Sequence, residues 1–248
     1  MRPVCQKFVD AMHKKEKLFL VLMDPDHFIH QEQITQYITY VKQAHPDMIL
    51  IGGSLTTQAT GTLIKQIKRL CTLPLVLFPG NIFQFTTEAD ALLLLSLISG
   101  RNPELLIGQH VAMAQTIKKS GIEAISTGYM LVESDQTTTV EYISNTRPLP
   151  HSKPQIAAAT AIAGTLLGNQ LIYLEAGSGA KQPVPTEMIT EVKKSIEVPL
   201  IVGGGLRRES AILDALTAGA DAIVVGNALE KNPELMIHFA HLVHRFNQ

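Results

Sequence analysis

The stretch PLIVGGGLRRESAILDALTAGADAIVVGNALE, residues 199–230, reads as strand, glycine turn, helix, strand and second glycine turn. Its β-branched runs PLIV and DAIVV are typical of strands buried in a parallel sheet. Gly203–Gly205 follow the first run, and Gly226 with Asn227 follows the second. Two such turns on successive strands match the phosphate site formed after the last two strands of a (β/α)8 barrel. The glycines could instead serve only tight turns, but their spacing as one βαβ unit favours phosphate binding.

Composition narrows the class of protein. The chain has 248 residues, of which 46% are hydrophobic, and this suits one large core. A formal net charge of −1 offers no broad basic field, so we expect no nucleic acid partner. Cys5 and Cys71 fit no metal or disulfide spacing, as in reduced cytoplasmic proteins. Residues 1–17 lack a signal-peptide core, and no apolar run reaches the roughly 18 residues of a transmembrane segment.

Before residue 199, strand patterns alternate with helical patterns along the chain. We predict strands at 18–27, 48–54, 74–81, 91–99, 123–132 and 171–179, and helices at 3–16, 31–43, 58–70, 104–121, 155–168, 185–195 and 233–246. With the last two strands this makes eight, which predicts a single domain, 1–248, folded as an α/β TIM (β/α)8 barrel. An open doubly wound sheet is the alternative, but it would usually carry a G-x-G-x-x-G turn after the first strand.

Three segments depart from the regular alternation. About ten residues separate strands three and four, which is tight for a crossover helix, so we expect the third peripheral helix to be reduced or missing. Residues 137–150 contain two prolines and suggest a loop or short excursion near the active face. The small residues of helix 155–168 favour close packing, although an open face would leave an apolar groove for a substrate tail.

The ends of the first strands carry oxygen ligands. In a barrel the catalytic groups lie at the carboxyl ends of the strands. Asp24 and Asp26 end strand one, and Ser54 and Thr56 follow strand two. Carboxylate and hydroxyl oxygens suit Mg²⁺. Asp-Pro-Asp is also ordinary turn chemistry, so its position at a strand end is what favours a metal site.

The later strands carry a different set of groups. Tyr173, Glu175 and Ser178 accompany strand six, and the glycine turns follow strands seven and eight. The open end of the barrel, called here the mouth, is therefore predicted to hold a metal-bound anion on one side and a second phosphate on the other. No lysine lies within a predicted strand, which argues against Schiff-base chemistry.

Ordered segments along nearly the whole chain resemble the geranylgeranylglyceryl phosphate synthase family, which also includes the bacterial heptaprenylglyceryl phosphate synthases. The segments are LMDPDH (22–27), ILIGGSLTT (49–57), LFPGN (77–81), LISGRNPELLIGQHV (97–111), YLEAGSGA (173–180), IVGGGLR (201–207) and ADAIVVGNALE (220–230). The longer segments resemble the archaeal-type branch, which some bacteria share.

The resemblance implies a modified TIM barrel that lacks one peripheral helix. It implies Mg²⁺-dependent transfer of a geranylgeranyl or related prenyl group from its diphosphate to the 3-hydroxyl of sn-glycerol 1-phosphate. It also implies a homo-oligomer, either a dimer or a hexamer. The alternatives are a heptaprenylglyceryl phosphate synthase with a longer donor, another phosphate-binding TIM barrel such as a sugar-phosphate isomerase or a flavin-binding barrel, and a catalytically silent barrel.

The resemblance also assigns residues. It places Mg²⁺ on Asp24 and Ser54. The heptaprenyl branch has a lysine two residues before the metal aspartate, where this chain has Leu22. Chemistry suggests Glu175 as the catalytic group that accepts the hydroxyl proton. The substrate-binding residues for sn-glycerol 1-phosphate are predicted to be Tyr173, Leu174, Glu175, Ala176, Gly177, Ser178, Gly179, Gly204, Gly205, Gly226 and Asn227.

Overall fold

A computed structural model describes residues 3–247. Eight parallel strands close into a barrel in chain order, so the predicted (β/α)8 fold is confirmed. The strands are β1 Leu18–Met23, β2 Met48–Ile51, β3 Leu75–Leu77, β4 Ala91–Leu97, β5 Glu123–Leu131, β6 Leu171–Glu175, β7 Leu200–Gly203 and β8 Ala222–Val225.

Helices surround this barrel. They are α1 Pro3–Lys14, α2 Gln31–Ala44, α3 Thr60–Lys68, α4 Gln109–Ser120, α5 Thr139–Ser144, α6 Pro154–Leu166, α7 Thr186–Ser195, α8 Glu209–Thr217, α9 Asn227–Lys231 and α10 Leu235–Phe246. Short 3-10 turns cover Pro25–His27 and Ile82–Gln84, and a π-helical turn, Glu104–Gly108, leads into α4. Between residues 3 and 247, no helix has both the length and the apolar character that crossing a bilayer requires.

The strand side chains form two apolar layers, because successive residues of a strand point to opposite faces. The inner layer fills the barrel and includes Leu20, Leu50 and Leu93. The outer layer lies between barrel and helices and includes Val21 and Ile49. The inside of the barrel is therefore a packed core, which leaves the loops to form the site.

Helix α1 closes the barrel at the amino ends of the strands. Val4 and Phe8 pack into the inner layer. The buried carboxylate of Glu123 accepts the backbone N–H groups of Val4 and Cys5 at 3.0 and 2.8 Å. These N–H groups belong to the first helical turn and have no partner within the helix. With this end closed, the carboxyl end of the barrel is the open one.

Several strands are shorter than predicted, because the predicted stretches include the loops that follow them. β1 ends at Met23, and Asp24 then caps a 3-10 turn by accepting the N–H of Asp26 at 3.1 Å. β6 ends at Glu175 rather than in the glycines beyond it. The polar groups of the predicted site thus follow the strands directly.

The third peripheral helix is missing, as predicted. Only the 3-10 turn Ile82–Gln84 lies between β3 and β4. Leu92 and Leu93 of β4 are buried, but Leu94 and Leu95 are only partly covered. Helix α4, on the other side of β4, buries none of its residues. An uncovered strand beside a helix that does not pack closely leaves an apolar groove.

Residues 137–150, predicted as a loop or short excursion, contain the short helix α5. The Thr138 hydroxyl caps it by accepting the N–H of Glu141 at 3.4 Å. Asn145 ends it in the left-handed conformation, and the prolines come after it. Val140 and Ile143 line the cavity at the barrel mouth, so α5 is an excursion at the open end.

Candidate active site

A cavity of about 330 Å³ opens at the carboxyl ends of the strands. This volume is within the range of small-molecule sites. Most residues of the predicted site line it together, although they come from opposite ends of the sequence. These are Asp24, Ser54, Tyr173, Glu175, Gly177, Ser178, Gly179, Gly204, Gly205, Gly226 and Asn227.

Two predicted substrate-binding residues do not line the cavity. Leu174 and Ala176 are buried in the outer apolar layer, against the helices. They alternate along the chain with Tyr173 and Glu175, which face the cavity, and neighbouring strand residues face opposite sides. The side chains of Leu174 and Ala176 therefore face away from the cavity, and substrate binding by these two residues stays a prediction.

Asp24 presents its carboxylate to the cavity beside Gly53. Oδ1 accepts the N–H of Asp26, whereas Oδ2 accepts no hydrogen bond from residues 3–247. A Cβ at position 53 would collide with Oδ2, so glycine is needed there. Burial raises the pKa of the Asp24 carboxyl. The free oxygen and the neighbouring Ser54 form one side of the mouth.

The second carboxylate of the Asp-Pro-Asp sequence has a different role. Asp26 accepts the backbone N–H of Thr57 at 2.9 Å and that of Gln58 at 2.8 Å. It also accepts the Thr57 hydroxyl at 3.2 Å. These bonds hold the loop after β2 against the loop after β1. Asp26 thereby positions Ser54 and does not itself line the cavity.

Glu230, in α9, joins the two ends of the sequence. Its Oε1 accepts the backbone N–H of Asp24 at 3.0 Å, and its Oε2 pairs with Nδ1 of His27 at 2.7 Å. Burial raises the pKa of Glu230. Burial alone would lower the pKa of His27, but the hydrogen bond and charge of Glu230 raise it. No motif in the sequence indicated this pairing, because 203 positions separate His27 from Glu230 along the chain.

The oxygens of Asp24 and Ser54 fit a hard cation. Within residues 3–247 no group of three or more His, Cys, Asp or Glu side chains could hold a metal by itself. Mg²⁺ usually binds one or two carboxylates and completes its shell with water and substrate phosphates. The two side chains therefore suit a Mg²⁺ ion shared with a phosphate, and not a cage made of protein alone.

Glu175 lies at the centre of the mouth and is 7% exposed. Its Oε1 accepts the N–H of Gly177 at 2.7 Å. Burial, opposed by this bond and by the Tyr173 hydroxyl nearby, raises the pKa of Glu175 to about 7. A Cβ on Gly203 would collide with the Tyr173 hydroxyl and with Oε2 of Glu175. A Cβ on Gly204 would collide with Oε1 of Glu175. Glu175 can thus take up or release a proton near neutral pH.

Three aromatic rings form the floor beneath the cavity. Phe78 stacks on Tyr173 with ring centroids 5.1 Å apart, and Tyr129 lies 5.5 Å from Tyr173. All three line the cavity and pack onto the inner layer of the barrel. They separate the cavity from the core and exclude water from beneath Glu175. Sequence reasoning missed Tyr129, although alternation along β5 places it inside the barrel.

The loops after β6, β7 and β8 form one glycine-rich cradle. Gly204 and Gly205 have φ of 79° and 70°, which favour glycine. The Ser178 hydroxyl donates to Oδ1 of Asn227 at 3.2 Å, and this bond joins the first loop to the third. Asn227 begins the short helix α9, whose first N–H groups have no partner within the helix. Such a cradle suits a phosphate group.

The apolar groove beside β4 is continuous with the cavity. From Leu92 to Leu97 the strand rises roughly 17 Å. Helix α4 faces it with Met113 and Ile117, which lie one turn apart. Residues from the loop after β3 and from the π-helical turn complete the wall, and they include Ile82, Phe85 and Leu105.

The groove does not lie along α6, where an open face of small residues was the alternative to close packing. None of the residues of α6 lines the cavity. Ala157, Ala158 and Ala161 are buried, because their small side chains let α6 pack closely. The groove forms instead where the third peripheral helix is missing.

The fold and the mouth together define a TIM barrel whose mouth joins a glycine-rich cradle to an apolar groove. The sequence profile described as the PcrB family matches residues 11–243. The chain belongs to the PcrB family.

Relatives named geranylgeranylglyceryl phosphate synthase are similar over nearly the full length. The protein of Spirosoma linguale is 51% identical, with 94% of this chain and 93% of the relative covered. That of Thermococcus gammatolerans is 43% identical, with 91% and 89% covered. These relatives confirm the predicted family and the predicted enzyme class, prenyltransferase.

A solved structure matches the whole barrel. The (S)-3-O-geranylgeranylglyceryl phosphate synthase of Thermoplasma acidophilum, in complex with its substrate sn-glycerol-1-phosphate, superimposes with a TM-score of 0.89 at 27% identity. The alignment covers 99% of this chain and 98% of that one. The likeness therefore includes the loops that form the mouth.

Proposed function

We propose that the protein transfers a geranylgeranyl or related prenyl group from its diphosphate to the 3-hydroxyl of sn-glycerol 1-phosphate, with Mg²⁺. The observation that carries this proposal is that one mouth joins a glycine cradle, a pair of oxygen ligands and an apolar groove. The relatives named for this activity support it. The related structure in complex with sn-glycerol-1-phosphate supports the acceptor.

The cradle formed by Ser178, Gly204, Gly205 and Asn227 would bind the phosphate of the acceptor. Its backbone N–H groups and the start of α9 offer donors to an anion. Glu175 lies between this cradle and the aromatic floor, beside Gly203 and Gly204. A glycerol phosphate held there would present its hydroxyl to the carboxylate.

Asp24 and Ser54 would bind Mg²⁺ together with the donor diphosphate. When bound, the ion would supply positive charge that stabilises the leaving diphosphate. Asp26 and Glu230 position these ligands through their hydrogen bonds to the loops after β2 and β1. The donor half of the site would thus lie beside the acceptor cradle, because β1 and β8 pair in the closed barrel.

Glu175 would act as the general base. The carbon–oxygen bond to the diphosphate breaks, and the acceptor hydroxyl oxygen bonds to the same carbon. The hydroxyl proton passes to Glu175, and the diphosphate leaves with the electron pair of the broken bond. A pKa of about 7 keeps much of the carboxyl ionised at neutral pH. The aromatic floor excludes water, which would otherwise compete as acceptor.

The groove would bind the prenyl tail. Burying each methylene contributes about 0.8 kcal/mol, so the depth of the groove favours longer donors. A heptaprenyl donor is the alternative within the same family. A sugar-phosphate isomerase or a flavin enzyme would leave this groove without a use. A homo-oligomer, dimer or hexamer, and a cytoplasmic location stay predictions.

The proposal is tested by following radiolabel from sn-glycerol 1-phosphate into solvent-extractable lipid, with geranylgeranyl diphosphate as donor. We expect transfer that a chelator stops and Mg²⁺ restores, with little transfer to sn-glycerol 3-phosphate. Asp24→Asn should abolish it, because an amide is a poor Mg²⁺ ligand. Transfer that survives chelation would contradict the metal role, and no transfer from any prenyl donor would contradict the function.

A further inference from the structure

We propose that the protein docks on a lipid bilayer through five exposed apolar residues around the groove, called here the apolar rim. The bilayer would deliver the prenyl donor to the groove and receive the lipid product. This inference rests on the proposed function for what passes through the groove. The rim residues, one on each loop after β1 to β5, are Ile29, Leu55, Phe83, Ile107 and Tyr142.

The apolar rim occupies only one part of the barrel mouth. Each of the five residues is exposed, and Phe83 is 91% exposed. The loops after β6, β7 and β8 carry no exposed large apolar residue among those described. They expose Lys181, Arg207 and Arg208 instead. The division follows the site, because the loops that expose a large apolar residue surround the groove, whereas the loops that form the glycine cradle expose none in the described part of the chain.

Two of the rim loops carry no charge. Residues 52–59 and 78–87 contain no Asp, Glu, Lys or Arg, yet both segments are loops or turns with exposed side chains. Exposed loops normally carry charge, and an apolar patch beside an opening marks a binding surface. These two uncharged loops would insert into the interfacial region of a bilayer by apolar burial, and this burial does not depend on anionic lipids.

The rim is continuous with the groove. Ile82 and Phe85 line the groove, and Phe83 between them points to solvent. Leu55 follows Ser54, which lines the cavity. A rigid protein partner seated on all five loops would close the entrance that the prenyl chain uses. A fluid bilayer can cover the same loops and still supply the chain, so we assign the rim to lipid and not to a second copy.

The chain provides a matched control at the other end of the barrel. Leu166 and Leu167 are exposed to 82% and 83% where α6 ends. Helices of the barrel run from its mouth back toward the amino ends of the strands, so these leucines lie far from the groove. They are as apolar and as exposed as the rim residues but should not meet a docked bilayer.

Flotation of the full-length protein with phosphatidylcholine vesicles tests the docking. We expect wild type to float with the vesicles at low and at high salt. The double substitution Leu55→Ser with Phe83→Ser should weaken partition at least about tenfold, because both side chains lose burial. Leu166→Ser with Leu167→Ser should leave partition unchanged. Equal loss in both variants, or a wild type that does not float, would overturn the proposal.

A fluorescent reporter gives an independent measurement, because the chain has no Trp. Phe83→Trp should shift its emission to the blue with vesicles and be quenched by brominated phosphatidylcholine, whereas Leu167→Trp should show neither effect. Equal quenching at both positions, or none at position 83, would contradict docking. Dissociation of an oligomer by Leu55→Ser with Phe83→Ser would show that a second copy covers the rim, and this too would overturn it.

The docking and the proposed function can fail separately. Leu55 and Phe83 do not line the cavity, so their variant should turn over the short donor geranyl diphosphate at the wild-type rate without vesicles. If the wild-type protein turns over its substrates normally but does not bind vesicles, the docking proposal alone would be overturned. Vesicle binding without any prenyl transfer would overturn the proposed function alone.

Discussion

Burial and hydrogen bonding act on the carboxyl of Glu175 in opposite directions. Burial favours its neutral form, while the N–H of Gly177 favours the carboxylate. Burial has the larger effect, and the pKa rises to about 7. A catalytic base requires a pKa near the working pH, so the same burial that suits catalysis opposes stability.

Glu175→Gln should therefore stabilise the fold at pH 8. The pKa of Glu175 is about 7 in the folded protein and about 4.5 for the unfolded chain, so wild type loses stability as pH rises from about 4.5 to about 7. The glutamine has no charge to bury and can still accept the N–H of Gly177. The variant should gain up to about 3 kcal/mol relative to wild type at pH 8 and nothing at pH 4. Urea unfolding at the two pH values measures this, and parallel pH profiles would contradict it.

Single residues were predictable where they follow a strand end. The positions of Asp24, Ser54 and Glu175 could be derived from strand patterns alone, because parallel strands end at one face. The pairing of Glu230 with Asp24 and His27 could not, since it depends on how the last loop meets the first. Because side chains alternate in direction along β6, those of Leu174 and Ala176 could have been predicted to face away from the cavity.

Among the structural elements, the glycine cradle depends on the space at Gly204. A Cβ there would collide with Oε1 of Glu175 and approach the backbone N of Ala176 at 2.7 Å. Gly168→Ala is the control, because Gly168 also has positive φ, of 94°, but nothing lies within 4 Å of an added Cβ. Gly168→Ala should lower the free energy of unfolding by about 1–2 kcal/mol, because of the backbone conformation alone.

Gly204→Ala should lower the free energy of unfolding by the same amount and by about 1–3 kcal/mol more, because of the collision. It should also weaken binding of sn-glycerol 1-phosphate, whereas Gly168→Ala should not. Thermal unfolding and titration calorimetry of the two variants measure these differences. Equal stability and equal affinity in both would show that the cradle does not depend on close approach at this loop.

The apolar groove depends on the gap between β4 and α4. Met113→Trp should fill this gap and lower the rate with geranylgeranyl diphosphate at least about tenfold, because the buried tail loses contacts worth about 0.8 kcal/mol per methylene. The rate with geranyl diphosphate should change little. Ala114→Trp is the control, since Ala114 is exposed and does not line the groove. Equal effects on long and short donors would place the tail elsewhere.

The elements themselves were mostly predictable from periodicity and spacing. The short connection at 81–90 excluded a third peripheral helix, and the structure confirms this. The groove that results lies beside β4 and α4, and the sequence did not indicate this position. The small residues of α6 favoured close packing over an open face, and the burial of Ala157, Ala158 and Ala161 agrees with this.

At the scale of the whole molecule, closure of the barrel makes β1 and β8 neighbours. This brings the oxygen ligands after the first strands to the glycine turns after the last. The sequence alone could place the oxygen ligands and the glycine turns at one face of the barrel, because all strands are parallel. It could not give their separation, the depth of the groove or the uneven distribution of apolar residues around the rim, since these depend on side-chain packing.

In the proposed site donor and acceptor meet at Glu175, and the kinetics of Glu175→Gln measure whether they do. At pH 8, with geranylgeranyl diphosphate, sn-glycerol 1-phosphate and Mg²⁺, kcat for prenyl transfer should fall about 10²–10⁴-fold. Calorimetric binding of sn-glycerol 1-phosphate should remain close to that of wild type, because the cradle is intact. An unchanged kcat would show that the proton leaves by another route and would contradict the proposed site.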